Sequence, residues 1–118
     1  MKKIIICCIS CYALLSFIQF KEEIGLASYY SSIMEGRKTA SGEVFTQKKL
    51  TAAHKTLPLG TFVKVTNLNN DSIVIVKIND RLSKRSGHTI DLTLTAAKQL
   101  NFVRNGSTKV KIQPTKSI

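Results

Sequence analysis

The stretch TFVKVTNLNNDSIVIVKINDR, residues 61–81, decides how this chain folds. Its two halves, 61–67 and 72–78, are rich in β-branched residues, which favour strands. Between them, the Asn-Asn-Asp sequence at 69–71 is typical of a turn. Two strand-like segments joined by a short polar turn predict a β-hairpin. The apolar run in the second half predicts a strand that is buried on both faces.

Shorter strand-like segments flank the hairpin, and they cover residues 24–30, 89–92 and 108–112. A short helix is predicted over residues 94–100, with Thr93 as its N-terminal cap. Residues 51–60, which contain one histidine, are predicted as a loop. Several short strands with one or two helical turns favour a small closed barrel, because closure removes unpaired sheet edges.

The first twenty residues differ from the rest of the chain. Met1-Lys2-Lys3 is a short basic start, and residues 4–20 then form a mostly apolar run without a charged residue. This layout is typical of a secretory signal peptide, and an uncleaved signal-anchor fits it as well. Both predict that the following domain lies outside the cytoplasm. Membrane attachment through residues 4–20, or through a lipid on Cys11, is compatible with this segment.

The chain is strongly basic, with 18 lysines and arginines against seven acids and a formal net charge of +11. Such a surface attracts polyanions, among them nucleic acid, anionic lipid and cell-wall polymers. The export signal argues against nucleic acid, and 7% aromatic residues are few for base-stacking platforms. All three cysteines lie in the first twenty residues, so the domain has no disulfide and no Cys-based zinc site. The sequence also lacks a His-x-x-x-His spacing, so no metal site of that kind is predicted.

Polar residues that can carry chemistry lie near the ends of the predicted strands. Asp80 almost directly follows the second strand of the hairpin, and a carboxyl group partly withdrawn from water at a barrel mouth can act as a proton donor. His54 lies in the loop before the hairpin, and Glu43 is the acid of a second loop, 36–45. Each of these residues also fits an ordinary structural role. His88 is predicted to be an ordinary loop residue.

Six segments occur along the chain in a recognisable order. They are GLASYY (25–30), GRKTASGEVF (36–45), LTAAHKTLPLGT (50–61), VKVTNL (63–68), INDR (78–81) and IDLT (90–93). Together they strongly resemble the rare lipoprotein A (RlpA-like) family. The resemblance implies an all-β fold, a six-stranded double-psi β-barrel with one or two short helices, related to expansin and barwin domains. The segment 82–88 departs from the family, which usually has Gly-Pro and then an aromatic residue at its start.

The residue patterns and the resemblance together suggest how the chain is divided. Residues 1–20 are predicted to be the signal peptide or signal-anchor, and 21–24 a linker. The barrel domain covers 25–113, and 114–118 form a tail.

The activity that the resemblance implies is that of a lytic transglycosylase. Such an enzyme cleaves the β-1,4 bond between N-acetylmuramic acid and N-acetylglucosamine in peptidoglycan, preferably in peptide-free strands, and leaves 1,6-anhydro-muramic ends. The family's essential acid falls on Asp80, its active-site histidine on His54 and its loop acid on Glu43. Substrate-binding positions fall on Tyr29, Tyr30, Arg81 and Asp91. No metal or organic cofactor is implied, and we expect a monomer. The resemblance also implies export to the bacterial cell envelope, with the domain free in the periplasm or anchored facing it.

A non-catalytic, expansin-like module that binds peptidoglycan and loosens the wall is the alternative. It would depend on Asp91 and the aromatic residues, and it predicts binding to wall sacculi without bond cleavage.

Overall fold

The computed structural model describes residues 22–116. The strands of this part of the chain are β1 (Glu23–Tyr29), β2 (Thr51–His54), β3 (Phe62–Asn67), β4 (Ile73–Arg81), β5 (Ile90–Leu92) and β6 (Thr108–Thr115). They close into one barrel in the order β1-β5-β2-β4-β3-β6. The other secondary-structure elements of the described residues are one α-helix, α1 (Leu94–Gln99), and one 3-10 turn (Ser32–Met34). The predicted fold class is confirmed, while the predicted signal segment lies outside the described residues.

The central hairpin forms as predicted. β3 and β4 pair antiparallel, with Phe62 opposite Lys77 and Thr66 opposite Ile73. Asp71, in the connecting turn, has a left-handed backbone with φ of 62°. Asp tolerates this conformation better than most residues because its short polar side chain bonds to the nearby backbone.

β4 buries one of its faces, and the prediction that both faces are buried is wrong. Val74, Val76 and Ile78 are buried in the core, whereas Ile73 is 50% exposed. The wall of a barrel has an inner and an outer face, and successive side chains alternate between them. The apolar run therefore reflects β-propensity on the outer face as well as burial on the inner one.

β2 lies inside the segment that was predicted as a loop. It pairs in parallel with β4 and antiparallel with β5, so both of its edges are hydrogen-bonded. Two strands also extend beyond their predicted bounds. β1 begins at Glu23, within the predicted linker, because Glu23 pairs with Ile112. β6 continues to Thr115, within the predicted tail, because Thr115 pairs with Phe62.

The core fills the inside of the barrel and the space under α1. Its largest members, apart from the β4 residues, are Val63, Val65, Ile90, Leu92, Leu100, Phe102, Val110 and Ile112. Thr93 caps α1 as predicted, since its hydroxyl accepts the Ala96 amide at 3.4 Å. Within residues 22–116, no helix is long and apolar enough to cross a membrane.

Candidate functional site

A β-bulge places Asp80 at the end of β4. In the β2–β4 pair, Ala52 lies opposite Ile78, but the next β2 residue, Ala53, lies opposite Asp80. Asn79 is therefore an extra residue on β4. A bulge breaks the regular alternation and re-aims the side chains that follow it, and bulges often occur next to active sites. Without the bulge, Asp80 would have the same inward orientation as Ile78.

A row of directly paired residues crosses four strands at this point. Ser28 on β1 lies opposite Asp91 on β5, and Asp91 lies opposite Ala53 on β2. Ala53 in turn lies opposite Asp80 on β4. Neighbouring strands are about 4.8 Å apart, so two spacings, roughly 10 Å, separate the backbones of the two acids. Between them the row carries only the methyl group of Ala53, which is 2% exposed. We call this strip of the barrel surface, with one carboxylate on each side, the groove.

Three donors hold the Asp80 carboxylate. Oδ1 accepts the backbone N–H of Ala40 at 2.8 Å and that of Arg81 at 2.9 Å. Oδ2 accepts the Tyr30 hydroxyl at 2.8 Å. A carboxylate has about four lone-pair positions. The two amides occupy those of Oδ1, and Tyr30 takes one on Oδ2. Among residues 22–116, no donor occupies the remaining position on Oδ2.

The two predicted tyrosines point in opposite directions. Tyr30 packs its ring 4.4 Å from that of Phe45, and burial, followed by the hydrogen bond to Asp80, raises its pKa well above the ordinary value. Its hydroxyl therefore stays protonated and available as a donor. Tyr29 instead donates its hydroxyl to the Val103 carbonyl at 2.9 Å and packs against the core. Adjacent strand residues face opposite sides, so the structure brings Tyr30 to Asp80 and places Tyr29 behind the groove.

The loop 36–45 covers the end of β4. Besides the Ala40 amide on Asp80, the Ser41 amide donates to the Asn79 carbonyl at 3.1 Å. Glu43 of this loop pairs with Lys77 of β4, whose Nζ lies 2.9 Å from Oε1 and 3.0 Å from Oε2.

The ion pair with Lys77 further favours the ionised form of Glu43. The hydrogen bond from Lys77 lowers the pKa of the Glu43 carboxyl, which stays ionised near neutral pH and is unsuited to donate a proton. Among residues 22–116, no hydrogen bond joins Glu43 to Asp80. The predicted loop acid therefore fastens the loop to the strand that carries Asp80.

The His54 ring lies on the other face of the sheet from Asp80. Ala53 belongs to the groove row, so alternation directs His54 towards the inside of the barrel, where its side chain is 3% exposed. Its Nδ1 accepts the amides of Thr56 at 3.1 Å and Leu57 at 3.0 Å. Its Nε2 lies 2.6 Å from Oε1 of Glu23. In the part of the chain that the structure describes, the ring makes no hydrogen bond to Asp80.

Arg81 and Leu82 meet His54 through its backbone. The Arg81 guanidinium donates from Nη1 to the His54 carbonyl at 3.2 Å, and the Leu82 amide donates to the same oxygen at 3.2 Å. No ion pair of Arg81 with an acid occurs within residues 22–116. The guanidinium therefore ties β4 to β2 beside the groove.

The far side of the groove is built around Asp91. Its Oδ1 accepts a hydrogen bond from the Ser28 hydroxyl. His88 Nδ1 lies 4.0 Å from the same oxygen. Sequence patterns did not identify Ser28 as a site residue, and they predicted His88 to be an ordinary loop residue. The spacing of His88 three residues before Asp91 was the only local signal. Among residues 22–116, no group of three or more His, Cys, Asp and Glu side chains is arranged to hold a metal ion.

The fold and groove define the class of the molecule, a double-psi β-barrel. A solved structure of Streptomyces papain inhibitor is similar, with a TM-score of 0.66 and 19% identity over 81% of this chain and 96% of that one. A mutant Clavibacter michiganensis expansin in complex with cellohexaose has a TM-score of 0.62 and 17% identity, over 83% of this chain and 52% of that one. At such identities the likeness shows the fold alone.

Residues 22–112 match the model of a family described as lytic transglycolase, and the chain belongs to this family. It is 49% identical over 89 residues to the endolytic peptidoglycan transglycosylase RlpA of Haemophilus influenzae, covering 75% of this chain and 31% of that protein. It is 51% identical over 82 residues to the probable endolytic peptidoglycan transglycosylase RlpA of a Synechocystis species, covering 70% and 26%. The chain thus matches about a quarter to a third of the length of these relatives.

Proposed function

We propose that the chain is a lytic transglycosylase that cleaves peptidoglycan glycan strands between N-acetylmuramic acid and N-acetylglucosamine, with Asp80 as its catalytic acid. The observation that carries the proposal is the Asp80 carboxylate itself. It lies at the edge of a groove, is held by three donors, and keeps one Oδ2 position for a proton. About half of the matched residues are identical to those of proteins named endolytic peptidoglycan transglycosylases.

Asp80 acts twice in the proposed reaction. Its Oδ2 first protonates the bridging oxygen as the glycosidic bond breaks. The resulting carboxylate then takes the proton from the C6 hydroxyl of the muramic residue while that oxygen closes on C1. Water is not consumed, and the product ends in a 1,6-anhydro ring. Tyr30 donates to the carboxylate that forms when the proton leaves, which stabilises the developing negative charge.

The other predicted residues receive roles that fit their contacts. Asp91 lies across the groove, and we assign its carboxylate to binding sugar hydroxyls. Arg81, whose guanidinium donates to the backbone carbonyl of His54 next to Ala53, is assigned to the same task. Glu43 holds the loop that supplies the Ala40 amide, and His54 acts behind the groove as a positioning residue. A peptidoglycan substrate would require the domain to act outside the cytoplasm.

Digestion of purified glycan strands followed by mass spectrometry tests this proposal. Peptide-free and peptide-bearing strands are compared, because the preference for stripped strands is part of it. We expect products with anhydro-muramic ends. Products that are heavier by one water would mean hydrolysis, as in ordinary glycosidases with two carboxylates, and would contradict closure of the 1,6-anhydro ring. No cleavage of either strand would remove the enzyme proposal.

A second candidate is the wall-binding module without catalysis. The contact that favours it is the one between Ser28 and Asp91, which prepares the far side of the groove independently of Asp80. This module would sediment with wall sacculi, and its binding would be weakened by Asp91→Asn but not by Asp80→Asn. Release of anhydro products would decide against it.

A further inference from the structure

We infer that Glu23 positions His54, and that this pair holds the backbone donor beside Asp80. The structural part of the inference stands on the contacts of the two residues. Its consequence for the rate rests on the proposed function.

The hydrogen bonds of the ring determine its tautomer. Nδ1 of His54 accepts two backbone amides, those of Thr56 and Leu57, so it carries no proton. The ring proton is therefore on Nε2, where it is donated to the Glu23 carboxylate at 2.6 Å. Which nitrogen carries the proton is set by the hydrogen bonds of the ring. Both nitrogens are used, so the buried ring has none left to offer a sugar.

Glu23 is the component of this arrangement that can be removed with the least damage. Its side chain is 48% exposed, whereas the ring it contacts is 3% exposed. Its place is fixed by the backbone, because Glu23 pairs with Ile112 at the start of β1. The carboxylate thus links the start of one strand to the end of β2, across a barrel mouth.

A short chain of contacts leads from this pair to the acid. The ring is fixed by Glu23, and the backbone carbonyl of the same histidine accepts both the Leu82 amide and the Arg81 guanidinium. The backbone amide of Arg81 lies between the two groups that bind this carbonyl, the Arg81 guanidinium and the Leu82 amide. It donates to Asp80 Oδ1. A mobile His54 would therefore loosen one of the two amides that hold Oδ1.

Glu23→Ala and Glu23→Gln in the full chain, kept in mild detergent, test the inference, with Glu22→Gln as the matched control. Glu22 is the neighbouring acid, is exposed, and accepts a hydrogen bond from Gln113 at 2.7 Å instead of from the histidine. Nitrogen-15 NMR of the ring reports the tautomer, and amide hydrogen exchange at Leu82 reports the tether. Turnover and KM are measured on peptide-free strands.

Glu23→Ala should move the His54 nitrogens towards a mixture of tautomers and speed exchange at Leu82. It should lower kcat by about tenfold with little change in KM. This is the low end of the loss seen when the orienting partner of a metal-binding histidine is removed, and we apply it to His54 by analogy. Glu23→Gln should recover most of each effect, because its amide oxygen still accepts from Nε2. The control should match the wild type.

Ring signals that stay unchanged in Glu23→Ala would overturn the pairing. Altered ring signals with unchanged exchange and kcat would overturn the positioning role. If the wild type itself cleaves nothing, the proposed function fails, but NMR and exchange still decide whether Glu23 positions His54.

Discussion

Removing the Tyr30 hydroxyl is the sharpest perturbation of the proposed catalytic acid. Tyr30→Phe keeps the ring, with its contact to Phe45 at 4.4 Å, and deletes the donor to Asp80 Oδ2 at 2.8 Å. A hydrogen bond to a charged group contributes about 1.5–3 kcal/mol. This one is worth most when negative charge appears on Oδ2, in the bond-breaking step. Because about 1.4 kcal/mol corresponds to a factor of ten in rate, we expect kcat to fall by roughly 10- to 150-fold.

Tyr29→Phe is the matched control for this experiment. It deletes the same atom one residue earlier, where the hydroxyl donates to the Val103 carbonyl on the core side. It should cost about 0.5–1.5 kcal/mol of stability in urea unfolding and leave kcat unchanged. Release of saccharides with anhydro-muramic ends from peptide-free strands measures both variants. A Tyr30→Phe variant at the wild-type rate, or a Tyr29→Phe variant that loses as much activity, would refute the assignment of Tyr30.

Further variants test other parts of the structure. Asp91→Asn should raise KM by about tenfold, because one charge-assisted hydrogen bond to the substrate is weakened, while kcat hardly changes. A fall in kcat alone in steady-state assays would contradict the binding role. Its lysine partner lowers the pKa of Glu43 below the ordinary 4.5, so the pair stabilises the fold fully above that pH and loses this effect as the pH falls through the lowered pKa. Glu43→Gln should therefore be slightly less stable than the wild type at pH 7, and urea titrations at successively lower pH should show this gap closing. A gap that stays constant down to the lowest pH at which the domain folds would exclude this cause. Gly25→Ala would bring a Cβ within 2.0 Å of Thr89 Oγ1 and should destabilise the folded domain by about 1–3 kcal/mol. Gly87→Ala is the control, because a Cβ there meets open space, and it should be neutral in the same titrations.

Local patterns were sufficient where a strand and its turn are neighbours in the chain. The β3–β4 hairpin, the cap at Thr93 and the short helix after it were all predictable, because each depends on residues a few positions apart. β2 was not predictable in this way. Its sequence Thr-Ala-Ala-His has little β-propensity, and it is a strand because β4 and β5 pair with both of its edges. Tertiary pairing, which a local pattern does not contain, decided it.

The functional site was likewise predictable from the sequence only in part. Asp80 and Asp91 lie in segments that resemble the family, but their shared row follows from the barrel order and from the bulge at Asn79. The opposite directions of Tyr29 and Tyr30 follow from strand alternation, which was available in the sequence once that segment was predicted as a strand. The separation of His54 from Asp80 required the register between strands.

The central claim, that Asp80 is the acid of a lytic transglycosylase, is tested most directly by Asp80→Asn on peptide-free glycan strands. The substitution keeps an oxygen for the amides of Ala40 and Arg81, so the fold and sacculus binding should be preserved. Mass spectrometry should find anhydro-muramic ends with the wild type and none above background with the variant. Anhydro products from the folded variant at the wild-type rate would contradict the account.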